Sequence, residues 1–157
     1  MPINTARIRF LYRNDQGRID ADTWIKGLRP LAITLIPFVL FWKLLAPYTN
    51  HDIAKDPFFP PLTIAAYAYA ILYAFVVILV VISYVNLSAK RFRDRALFPP
   101  LGLASLAPFF GLLTGAAHWL QPRVSESMPI WWVWGIDAML MISILWTIFE
   151  LALKPSR

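Results

Sequence analysis

From Leu62 to Leu87 the chain carries no charged residue, and the stretch AILYAFVVILVVIS lies at its middle. About 20 apolar residues cross the hydrocarbon of a bilayer as a helix. This run is long enough to do so, and too apolar to form an exposed helix in water. Three further runs are spaced along the chain. One starts at Trp24 and passes Leu31 to Pro47, one covers Leu97 to Leu120, and one covers Pro129 to Leu153. In lipid every backbone polar group must be satisfied within the protein, so spanning segments of this kind are helical.

Composition supports the membrane as solvent. Of the 157 residues, 59% are hydrophobic and only 15% are charged; the mean hydropathy is +0.57. The absence of cysteine excludes disulfides, thiolate nucleophiles and Cys-ligated zinc or iron–sulfur sites. The net charge of +6 reads as the Lys/Arg excess that flanks membrane spans, not as a nucleic-acid footprint, because the basic residues stand beside the apolar runs. The first twenty-nine residues do not read as a signal peptide, since no apolar core follows the basic start.

The expected organisation is a polar segment over residues 1–21 followed by a transmembrane domain over 22–157. The spans fall at about 24–46, 62–87, 97–120 and 129–153. In the first segment Ile8, Phe10 and Tyr12 alternate with Arg7, Arg9 and Arg13, and Asn14 to Gly17 reads as a turn. A small hairpin or an interfacial arm fits that pattern. Asp22 or Thr23 is placed to cap the first spanning helix, and Pro37 is expected to kink it. Pro47 to Pro61 reads as an outer loop resting on the interface through Phe58 and Phe59, and Trp131, Trp132 and Trp134 as an interface belt.

Threading follows from counting Lys and Arg. The segment through Arg29 has six, the stretch between spans two and three has four, and the tail has two, Lys154 and Arg157. The other two loops have Lys55 and Arg123. Twelve against two predicts cytoplasmic N and C termini and an antiparallel bundle of four transmembrane helices, all-α in class.

Two stretches resemble a family of small bacterial inner-membrane proteins, domain of unknown function 805. Gly17-Arg18-Ile19 with Asp22-Thr23-Trp24 is similar to its opening pattern, a Gly-Arg pair followed by an aromatic leading into the first helix. Asn86 to Arg95, NLSAKRFRDR, is similar to its basic loop after the second span, with Arg93 where many members have His. The resemblance implies a multi-pass protein of the bacterial inner membrane and implies no activity.

Candidate chemistry is sparse. Lys90, Arg91, Arg93 and Arg95, with Arg18, are candidates for docking on anionic lipid headgroups, and Asp94 is expected to pair with Arg91 or, preferentially, with Arg18. Asp137 stands inside the fourth span, where a carboxylate is costly and by default a functional candidate. Lys43 and His118 are its expected partners in a polar cluster, either a structural clamp or a proton or cation step. Glu150 reads as a snorkelling interfacial residue, and Asn86 and Ser83 as hydrogen-bonders at a helix end. His51 and His118 are the only histidines, and their positions do not suit haem or zinc. Tyr69 and Tyr73, four apart, share a helix face. Helix packing is the favoured reading for them over a pigment or quinone stripe. No cofactor, metal or nucleic acid is expected. The function expected is a non-catalytic scaffold or accessory subunit packing against a partner membrane complex or another copy. A small oligomeric transporter built on Asp137 is the alternative.

Overall fold

The computed structural model describes residues 5–49, 58 and 60–155. Expectations at His51, Lys55, Phe59 and Arg157 lie outside them. The described residues form an all-α protein. A short helix α1, Thr5–Ile8, continues as a wide π turn, Arg9–Arg13. Then come α2, Ala21–Leu45, α3, Pro61–Asp94, α4, Pro100–Leu120, and α5, Ile130–Ile148, which ends in a second π turn, Phe149–Leu153. With their short terminal turns, the last four are long and apolar enough to cross a membrane.

The N-terminal segment differs from the strand-like expectation: Thr5–Arg13 is helical. The alternation of Ile8, Phe10 and Tyr12 is decided by packing instead, with Leu11 buried while Ile8 and Phe10 stay exposed. Gly17 has a φ of +103°, and a Cβ there would lie 3.0 Å from the Phe10 ring. Both observations account for glycine at this turn. The cap of α2 also differs. Asp20, rather than Asp22 or Thr23, accepts from the Thr23 amide at 3.0 Å, while Asp22 pairs with Lys26 one turn on, at 2.5 Å. A carboxylate at this position satisfies an otherwise unpartnered helix N–H. The helix α2 continues through Pro30 and Pro37.

The second spanning helix departs furthest from the sequence reading. The apolar run stops near Leu87, but the helix continues to Asp94. Its 34 residues extend ~51 Å at 1.5 Å per residue, against a hydrocarbon core of about 30 Å. The stretch expected to be a basic loop is therefore the last turns of α3. No Gly or Pro interrupts the sequence between Ser83 and Phe98, so no residue breaks the helix before Asp94.

The chain divides into two compact units. Residues 28–82 form one, which holds the C-terminal part of α2 and the N-terminal part of α3. There Phe38, Phe41 and Trp42 pack against Tyr69 and Tyr73, with ring centroids 5.5 to 6.3 Å apart. The Tyr69 hydroxyl donates to the Phe38 carbonyl at 2.9 Å. The tyrosine face is thus engaged in helix packing. The other unit joins residues 1–27 to 83–157. In it α4 runs along α5, and a core forms from Leu87, Phe92, Ala104, Val133 and Leu151, each at most 1% exposed. Phe92 stacks on Trp146 at 5.6 Å.

Candidate functional site

Two polar constellations stand out, and both are built within the second unit. The larger gathers at the end of α3. Asn86, Ser88, Lys90 and Arg91 fall within about one and a half turns, and Arg93 and Arg95 follow. Lys90 and Arg91 are fully buried and Arg95 is 6% exposed. A buried cation is tolerated only when it is hydrogen-bonded and compensated. Each of these finds oxygen acceptors supplied by distant backbone.

Lys90 Nζ donates to the carbonyls of Leu11 at 3.0 Å, of Asn14 and of Asn86 at 3.2 Å. It also lies 5.1 Å from the centre of the Phe10 ring. Asn86 donates from Nδ2 to the Tyr12 carbonyl at 2.9 Å. Arg93 donates to the Asp15 carbonyl and pairs with its carboxylate at 3.0 Å. These contacts fix the N-terminal arm against α3. The Arg93 hydrogen bond holds the Asp15 carboxyl below its ordinary value. On the other side Tyr12 donates to the Gly27 carbonyl at 2.9 Å, and burial raises the Tyr12 phenol.

Arg91 reaches the opposite way. Its Nε donates to the Leu151 carbonyl at 3.0 Å and its NH2 group to the Lys154 carbonyl at 2.6 Å, while NH1 pairs with Asp94. Arg95 donates to the Pro155 carbonyl at 2.5 Å and faces Glu150 at 3.8 Å; Glu150 also binds Lys154. The last carbonyls of a helix lack partners within it and carry partial negative charge. The basic end of α3 therefore closes the C-terminal turns of two other helical segments, Arg9–Arg13 through Lys90 and Phe149–Leu153 through Arg91, while Arg95 reaches the Pro155 carbonyl just beyond.

Trp24 and Gly27 complete the assembly. Trp24 Nε1 donates to Ser88 Oγ at 3.1 Å. Gly27 faces Leu87, whose δ carbons lie 3.0 Å from where a Cβ would stand, so the helices approach closely at this point. Trp24 with Ser88, and Gly27 with Leu87, thus join the start of α2 to the end of α3.

Several expectations are corrected. Lys90, Arg91 and Arg95 are turned inward, so they offer no exposed group to lipid headgroups; Arg93 is largely engaged by Asp15. Arg18 is exposed and is not the partner of Asp94, which is held by Arg91. Glu150 is 8% exposed and does not snorkel. The partners supplied by Leu11, Asn14, Asp15 and Leu151 were missed because no local sequence signal identifies an acceptor sixty to eighty residues away. The one available signal was Phe92, an apolar residue inside a basic run, as expected of a buried helix end.

The second constellation is the His118–Asp137 pair. His118 in the last turn of α4 places Nε2 3.0 and 3.2 Å from the two carboxylate oxygens of Asp137 in α5. A proton on Nε2 donates to the carboxylate. The side chains remain 57% and 35% exposed. Asp137 lies three residues past Trp134, ~4.5 Å further along the helix. Lys43, the third expected member, is exposed in the last turn of α2; among the described residues the ion pair at Asp137 is with His118.

No family model, curated protein or solved structure matches this chain. The four spanning helices make it a multi-pass membrane protein.

Proposed function

We propose that this chain is a non-catalytic membrane scaffold or accessory subunit that packs laterally against a partner complex or another copy of itself. The observation that carries this reading is the half-exposed His118–Asp137 pair. Charged groups at membrane depth are costly against lipid, and a covering protein surface removes that cost. Trp134 and Met141 stand on the same flank of α5 as Asp137, by the three- and four-residue spacing of a helix, and are 65% and 55% exposed. They would frame the contact. The positive-inside count supports an orientation with both termini and the α3 end in the cytoplasm. The resemblance to domain of unknown function 805 supports a bacterial inner membrane.

A second reading uses the same pair as a proton or cation step in an oligomeric transporter. It is favoured by the direct carboxylate–imidazole contact, a geometry suited to proton exchange. One experiment separates the two. A photo-crosslinking residue at Met141, in the native membrane, gives a discrete adduct with one partner or a second copy on the scaffold reading. Absence of any adduct, together with a proton flux in vesicles that Asp137→Asn abolishes at unchanged stability, favours the transporter.

A further inference from the structure

Lys90, Arg91 and Arg95, three of the cations expected to bind lipid, are buried, but a different basic surface lies beside them. Arg9 and Arg13 are exposed and four residues apart on the helical arm, so they share one face. They line an open depression of about 390 Å³ together with Ala6, Phe10 and Asn14. Among the described residues no carboxylate pairs with either guanidinium.

The height of this depression is set by the end of α3. Asn86 and Lys90 grip the carbonyls of Tyr12, Leu11 and Asn14, so the arm lies level with the turn of α3 where its apolar run ends at Leu87. The end of an apolar run marks the level at which headgroups meet hydrocarbon. Phe10, 40% exposed, lines this depression, and Ile8, 43% exposed, lines a second one with the same two arginines, so apolar surface adjoins both guanidinium groups. Guanidinium groups bind phosphate oxygens bidentately, and apolar side chains at this level suit an acyl chain.

We infer that Arg9 and Arg13, with Ile8 and Phe10, form a binding site for the phosphate headgroup of an anionic phospholipid. The site is independent of the scaffold reading: it requires the arm to lie at the membrane surface and nothing of α5. Its ligand is a lipid rather than free phosphate because charge and apolar surface adjoin.

The test uses the purified full chain in neutral detergent, with the thermal midpoint read in added phosphatidylglycerol, phosphatidylcholine or inorganic phosphate. The expected result is a rise of several degrees specific to phosphatidylglycerol, lost in Arg9→Gln/Arg13→Gln and kept in Arg18→Gln. A phosphatidylglycerol effect that survives in the double variant overturns the site. An equal rise with inorganic phosphate overturns the lipid assignment. Should the double variant not purify folded, the wild type decides. At about 1 M salt, where screening acts within ~3 Å, the phosphatidylglycerol-specific rise should collapse, and its persistence refutes the charge-based site.

Discussion

Arg91 donates from Nε to the Leu151 carbonyl at 3.0 Å, so the last turns of α3 close the last turns of α5. The same guanidinium takes the Lys154 carbonyl and the Asp94 carboxylate. One fully buried side chain thus joins segments sixty residues apart.

Replacing Arg91 with Met should be strongly destabilising. Removing one partner of a buried charged network costs about 3–5 kcal/mol, here with carbonyls and Asp94 left uncompensated. Arg91→Lys should recover little, because one ammonium cannot reproduce the planar fork. Denaturation in detergent, followed by helical signal, reads both; a neutral Arg91→Met contradicts the role given to this residue.

Trp24 and Ser88 should be coupled. Each of Trp24→Phe and Ser88→Ala loses a hydrogen bond contributing about 1 kcal/mol, and Trp24→Phe also changes packing. The double variant should be less destabilised than the sum of the two, by roughly 0.5 kcal/mol or more. Strict additivity would place the two side chains apart.

Gly17 should not accept a side chain. Gly17→Ala forces a positive φ on a residue with a Cβ, a strain of about 1–3 kcal/mol, and presses that Cβ on the Phe10 ring. The arm should loosen, read as faster amide exchange over residues 5–14 with the spanning helices unchanged. Unchanged exchange there would mean that the turn is not held as described.

Acid should weaken the arm through Asp15. The folded-state carboxyl lies below its ordinary value because of the Arg93 hydrogen bond, so its contribution is present above an unfolded pKa of about 3.9 and is lost as pH falls through the folded value. Asp20, lowered by its capping bond to Thr23, acts in the same sense. Asp15→Asn should show a smaller loss of thermal midpoint between about pH 4 and lower values than the wild type. An identical acid profile argues against the Arg93–Asp15 link.

Much of the architecture was readable because membrane spans have a one-dimensional signature. Leu62 to Leu87 cannot be placed elsewhere, and the boundaries of α2, α4 and α5 fall within a few residues of the apolar runs. The site was less readable, for a physical reason. Lys90, Arg91 and Arg95 have the composition of a solvated loop, and only the carbonyls of Leu11, Asn14, Leu151 and Pro155 make them interior residues. Those acceptors are backbone groups, present at every residue, so composition does not mark them. The Asp137–His118 contact was predictable from depth, since both residues stand near the same ends of adjacent helices, whereas Asp94 chose the near partner, Arg91, at helical spacing over the more distant Arg18.

The central claim is that the basic stretch after Leu87 is an internal knot and not a surface. Amine acylation of the protein in intact membranes, quantified residue by residue, tests it most directly, with Lys26, whose side chain is 60% exposed, as the internal standard. The account predicts that Lys26 is modified while Lys90 stays protected until the protein is denatured. Modification of Lys90 at the rate of Lys26 under native conditions would contradict it.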